Sequence, residues 1–432
     1  MRQHKGRVLR VGVAAMVAAV LTTAGCSGDG IEGDTNDRAK DGAIEIAQWY
    51  HEYGEEGTRE AVERYAEEYN KSQDQVHVTV TWVPGDYESK LNTALLAGEG
   101  PDVFESAPIG ERIFAGQVAP VDSVFGDALS DFNPKNIEAV TVDGHIYGVP
   151  MSDGDGLLFY RKSMLEEANV QPPATLDELK KAADQLSTGE RKGLFIGNDG
   201  CTSAQMPKIA IWSSGTELIA DGKSAVDVDR AAAVLEGMKD LCTSPSLLLG
   251  APSDWYDSSS FIDGLAAMQW GGQWTLPAVE EALGDDFGVV PWPALDSQGT
   301  PATWFGGWYS QVNAASKNVD AAKDYVKWLW VDNIDAQTEW STAFGSTAPV
   351  RTSITEATPA LREPPASEFV SAIADYGHLE SGVWWTAAMQ AALGDAFNNV
   401  IRDGADAKAE ATKLRDAIQA EIDRVAANSK LS

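Results

Sequence analysis

An α/β fold with mainly parallel strands is predicted for this chain of 432 residues. Two observations predict it. Short runs of alternating apolar and polar residues are separated by amphipathic helical stretches, the pattern of strand–helix–strand units. The length also exceeds the roughly 250–300 residues that one core serves, so two lobes are expected.

The elements follow in order. Residues 44–49 alternate and read as a first strand. Gly54 and Gly57 mark a loop. Residues 58–70 place Ala61, Val62, Tyr65, Ala66 and Tyr69 at helical spacing. Residues 76–82 alternate strictly and form a second strand. A helical pattern over 87–96 stops at Gly98, and residues 101–104 open a third strand. Residues 146–150 close this unit, and 157–160 are a short apolar strand. Residues 175–186 read as a capped helix, with Thr175 as cap and Glu178 three residues on. Further helices are expected over 229–241, 261–268, 320–331 and 405–427, and strands over 287–292 and 305–312. There is no internal repeat.

The N-terminus carries an address. Arg2, Lys5, Arg7 and Arg10 precede an 11-residue apolar run from Val11 to Leu21. That run is too short for a bilayer, which needs about 20 residues, and has signal-peptide anatomy. Leu21-Thr22-Thr23-Ala24-Gly25-Cys26 resembles a bacterial lipobox, so residues 1–25 are expected to be removed and Cys26 acylated. The alternative is a plain signal peptide with an incidental cysteine. Residues 26–43 are Gly/Asp-rich and read as a flexible tether. Their Gly28-Asp29-Gly30-Ile31-Glu32-Gly33 matches a dinucleotide motif, but the strand and helix such a site needs do not flank it.

Charge and cysteines point the same way. The formal net charge is −32, and loss of the four basic residues of the signal takes it to −36. Such a surface repels nucleic-acid phosphates and favours a neutral or cationic partner. Beyond Cys26, Cys201 and Cys242 remain, and two thiols in an exported chain suggest one disulfide, the alternative being two separate thiols.

No enzyme signature is complete. His51, His77, His145 and His378 lack zinc spacing, and there is no nucleophile elbow. Asp221-Gly222-Lys223-Ser224 ends like a P-loop, but Glu217 stands where the first glycine is required. A secreted glycoside hydrolase needs only two facing carboxylates, which 65 acidic residues leave open. No cofactor and no metal are expected.

Several spaced segments resemble extracellular solute-binding proteins of family 1, the sugar-binding components of bacterial ABC importers, which include maltose-binding protein. They are Glu99-Gly100-Pro101-Asp102-Val103, Tyr147-Gly148-Val149-Pro150 leading into Leu158-Phe159-Tyr160-Arg161-Lys162, and Phe261-Ile262-Asp263-Gly264 with Ala266-Ala267-Met268. Gly271-Gly272-Gln273-Trp274, Gly306-Gly307-Trp308 and Pro349-Val350-Arg351 follow. Arg161 departs from the family's usual Asn, at a helix start where little functional cost is expected. The resemblance implies a two-lobed periplasmic-binding-protein-like fold of class II type, with the ligand in a cleft between lobes. Lobe one would comprise 44–152 plus 305–348, and lobe two 153–304 plus 349–432. It also implies a monomer held by a lipid anchor, a sugar ligand, and ABC permease subunits in the membrane as partners.

Sugars present hydroxyl edges and apolar faces, so their sites need aromatic plates and polar partners. Eleven of the 14 Trp lie at or after Trp255. Trp292, and at least one of Trp328 and Trp330, are expected in the core. Trp274 follows a Gly-Gly turn where relatives place a stacking aromatic. Trp384 and Trp385 are adjacent and diverge in direction, so one is expected in the cleft. Gly307 lets backbone approach a ligand beside Trp308. Trp49 and Glu105 end the first and third strands, at the carboxyl edge where α/β ligands bind. Asp153 and Asp155 at the lobe crossing either accept from sugar hydroxyls or form a solvated turn. Arg351 either donates to a sugar hydroxyl or pairs with an acid. A di- or oligosaccharide is expected from the number of plates.

Overall fold

The computed structural model describes residues 42–53, 57–107, 109–202, 205–344, 348–379 and 382–429. The expected signal peptide, Cys26 and nearly all of the expected tether lie outside them. Eleven strands build two sheets. They are β1 Ile44–His51, β2 Val76–Val83, β3 Val103–Ser106, β4 Val149–Pro150, β5 Gly154–Tyr160, β6 Lys192–Phe195, β7 Ala266–Gly272, β8 Gly288–Val290, β9 Thr303–Gly306, β10 Tyr309–Val312 and β11 Gly377–Leu379.

The first sheet runs β2-β1-β3-β10-β4. Its parallel pairs, β1 with β2 and β1 with β3, are the predicted strand–helix–strand units. The helix Thr58–Ser72 buries Ala61, Val62, Tyr65, Ala66 and Tyr69, the residues that its spacing placed on one face. The helix Tyr87–Ala97 ends at Gly98, whose φ of 72° is the left-handed conformation that suits glycine. Ile46, Tyr50, Val103, Tyr325 and Trp330 share the core of this lobe.

The second sheet runs β11-β9-β5-β7-β6, with β8 also on β5. Here the expectation of mainly parallel pairing is corrected. β5 is antiparallel to β7, β8 and β9, and only β7–β6 and β9–β11 are parallel. The helix expected over 261–268 is also corrected. The helix Ser259–Ile262 stops before Gly264, at φ 73°, and β7 follows. Every residue of β7 is buried, so it lacks the alternation that separates a strand from a helix. The helix Leu176–Leu186 carries the predicted capping box between Thr175 and Glu178, an arrangement that contributes about 1 kcal/mol. Helices Val228–Cys242, Ala387–Ile401 and Ala407–Asn428 pack on one another around Leu235, Phe397 and Leu414. A disulfide joins Cys242, at the end of its helix, to Cys201. Trp292 is fully buried, edge-on to Trp270, and Trp330 is core as well.

Three segments cross between the sheets: 151–153, 307–308 and 348–351. The expected boundary at 305 falls inside β9, which belongs wholly to the second sheet. The boundary at 349 also shifts. Val350 accepts from the Asn133 backbone N–H, and Arg351 is bound to Asp131, so both remain against the first lobe.

Candidate functional site

The carboxyl ends of β1 and β3, the crossings and the ends of β7 and β9 converge on a cavity of about 360 Å³. His51, Tyr53, Trp308, Trp340 and Phe344 line it from the first lobe, and Trp274 and Trp304 from the second. Gly154, Gly306 and Gly307 lie between them.

Local sequence sets each plate. A Cβ on Gly272 would lie 2.1 Å from the Trp274 ring, so only glycine there lets the indole fold back over the turn. The Trp274 Nε1–H then donates to the Tyr256 carbonyl at 3.0 Å, and its ring meets Trp255 edge-on at 5.8 Å. A Cβ on Gly307 would lie 2.0 Å from the Ser152 carbonyl oxygen, so glycine lets two crossings touch.

His51 lies between two rings: Tyr53 at 3.9 Å and Trp308 at 4.2 Å, the latter nearly parallel at 23°. Behind it stands Glu105, 1% exposed. Glu105 Oε1 accepts from the His51 backbone N–H at 2.7 Å and faces His51 Nδ1 at 2.5 Å. Its Oε2 accepts from the Tyr53 hydroxyl. Burial pushes the Glu105 carboxyl up, and the hydrogen bonds from His51 and Tyr53 oppose this. His51, Tyr53, Trp304 and Trp340 were not singled out from sequence. β1 runs two residues beyond its alternating stretch, so its carboxyl edge falls at His51. The edge rule applied to that longer strand would have found it.

The expected residues divide. Trp274, Gly307 and Trp308 line the cavity, and Glu105 backs it. Trp49 is instead half-buried beside Tyr87, whose hydroxyl donates to the Glu105 carbonyl at 2.7 Å and lies 3.3 Å from the Trp49 carbonyl. Asp153 and Asp155 are buried and form no solvated turn. Asp153 accepts from Asn136 Nδ2, and burial pushes its carboxyl up to about 7. Asp155 has no partner on either oxygen among the described residues. Burial, then the charge of Asp153, pushes it well above the usual range. Arg351 follows the second of its two readings: Nε donates to Asp131 at 2.7 Å and Nη1 to the Val331 carbonyl at 2.7 Å.

Trp384 and Trp385 line a different cavity, of about 810 Å³, with Trp212, His378 and Phe305. Trp384 packs on Phe114 at 4.9 Å, and the Lys208 ammonium lies 4.5 Å from the Trp385 ring centre. Phe305 faces this second cavity while its neighbours Trp304 and Gly306 face the first, as alternation along β9 requires. Among the described residues, no three His, Cys, Asp or Glu side chains gather as a metal site, and no helix is long and apolar enough to cross a membrane.

The profile of the bacterial extracellular solute-binding proteins matches residues 64–369. The chain belongs to this family. Among this solute-binding protein's relatives, the maltotriose-binding protein of Pyrococcus abyssi is 29% identical over 273 residues, 61% of this chain and 58% of the relative's length. The arabinooligosaccharide-binding protein of Bacillus subtilis is 25% identical over 331 residues, 72% of this chain and 73% of that protein. The fold is similar to that of the GacH receptor of Streptomyces glaucescens, solved unliganded and with acarbose. That match has a TM-score of 0.74 at 24% identity and covers 88% of this chain and 99% of the other. The cyclic α-maltosyl-1,6-maltose binding protein of Arthrobacter globiformis matches with a TM-score of 0.70 at 22% identity, over 89% and 100% of the two chains.

Proposed function

We propose that this protein is the sugar receptor of an ABC importer, lipid-anchored through Cys26 outside the cytoplasmic membrane. It captures a neutral di- or oligosaccharide between its lobes, closes by hinge motion and presents the sugar to two permease subunits. The observation that carries this reading is the aromatic cavity to which both lobes contribute rings. Ring faces stack on the apolar faces of sugars, and a ligand touching both lobes favours the closed state. The volume lies at the small end of ligand pockets, about 300–1,000 Å³, which suits a short sugar. The relatives named for maltotriose and arabinooligosaccharides support the class of ligand.

A panel of maltose, maltotriose, arabinotriose, mannobiose and raffinose, followed by thermal shift and calorimetry, tests the reading. Stabilisation by one of them, with the sugar recovered intact, is expected. Stabilisation by peptides alone, or hydrolysis of the sugar, would overturn it. Cys26→Ala is expected to abolish incorporation of a labelled fatty acid and release the protein to the medium.

A further inference from the structure

We propose that His51 reads a hydroxyl of the ligand through Nε2, and that Glu105 is the positioning residue that fixes which ring nitrogen carries the proton. This rests on the sugar-binding reading and names the chemistry required at one point of the ligand.

A carboxylate accepts hydrogen bonds and cannot donate. Glu105 Oε1 faces His51 Nδ1 at 2.5 Å, so Nδ1 carries the proton. A neutral imidazole has one N–H, which leaves Nε2 as a bare acceptor. Nε2 has no partner among the described residues, and the ring lines the cavity. Trp308, nearly parallel at 4.2 Å, and Tyr53, tilted at 3.9 Å, pack on the ring while Nδ1 is tied to Glu105, so its edge keeps one direction. The Tyr53 hydroxyl spends its one proton on Glu105 Oε2, so it too can only accept from a ligand. Thr58 Oγ1, buried on the same wall without a partner among the described residues, both donates and accepts and does not discriminate. A fixed acceptor among ring faces demands a donor. A sugar hydroxyl supplies one, whereas a deoxy carbon, an O-methyl group or a glycosidic oxygen does not. Glu105 is 1% exposed and acts only through the imidazole.

The probe is the tightest-binding sugar of the panel above, with its singly deoxygenated and singly O-methylated forms. His51→Phe keeps a ring between Tyr53 and Trp308 and removes both nitrogens. It is expected to weaken binding about tenfold. One modified sugar is expected to lose about tenfold against the wild type and nothing further against His51→Phe. The imidazole ¹⁵N spectrum of the wild type is expected to show the Nδ1–H tautomer, and Glu105→Leu, which removes both acceptor oxygens, to lose that preference. Wild-type affinity in His51→Phe, or a protonated Nε2 in the neutral wild-type ring, would overturn this inference and leave sugar binding standing. Failure of every sugar to bind the wild type would overturn both.

Discussion

The α-carbon of Gly307 faces the carbonyl oxygen of Ser152 so closely that an added methyl would sit 2.0 Å from it. The two residues belong to different crossings, and their contact closes the floor of the cavity beside Trp308. Gly307→Ala must push backbone away from backbone, since no flexible side chain can yield. It is expected to lower the melting temperature by at least about 4 °C, read by calorimetry. A melting temperature equal to that of the wild type would show that the crossings are not in contact.

Trp274 is held by Tyr256 and Trp255 but presents its ring to the cavity. Trp274→Ala removes a plate without opening the core. Affinity for the bound sugar is expected to fall at least about tenfold by titration calorimetry, near 1.4 kcal/mol, with the fold intact by circular dichroism. Unchanged affinity would remove Trp274 from the site.

The disulfide Cys201–Cys242 spans 41 positions of sequence. Closing a loop of that size restricts the unfolded chain, and such bonds contribute about 2–4 kcal/mol. Thiol reductant, or the paired change Cys201→Ser with Cys242→Ser, is expected to lower the denaturation midpoint in urea. An unchanged midpoint in the paired variant would reject a stabilising role.

Asp153 titrates at about 7 in the folded protein because it is buried, against an ordinary value near 4. Between those values the folded state holds a proton that the unfolded state has released. Stability therefore falls as pH rises from about 4 to 7 and levels off above. Asp155, also raised, adds in the same direction. Asp153→Asn is expected to flatten the fall in melting temperature between pH 5 and 7. Parallel curves for variant and wild type would refute the assignment.

Much of the first lobe was legible in the sequence because β1, β2 and the helix Thr58–Ser72 keep residues toward water, although β3, β4 and β10 are buried throughout. Alternation in β2 and helical spacing over Thr58–Ser72 both need that contrast. The strand β7 has no exposed face, and its pattern was indistinguishable from a buried helix. The candidate site was partly legible. Gly272 and Gly307 announced Trp274 and Trp308, since close approach of backbone requires glycine. Trp49 was misplaced because the carboxyl edge depends on where β1 ends, and pairing with β2 extends it to His51.

By itself, the sequence determined the chain's acidity, the order of its early elements and the family-like motifs at the crossings. These depend on local composition and spacing. Only the tertiary structure decided which acids and aromatics share a space. It brought Glu105 to His51 across 54 positions, sent Arg351 to Asp131 and separated Trp385 from Trp274 into different cavities. Such partnerships depend on how strands pair and alternate between faces, and no local pattern records which distant strand will lie alongside.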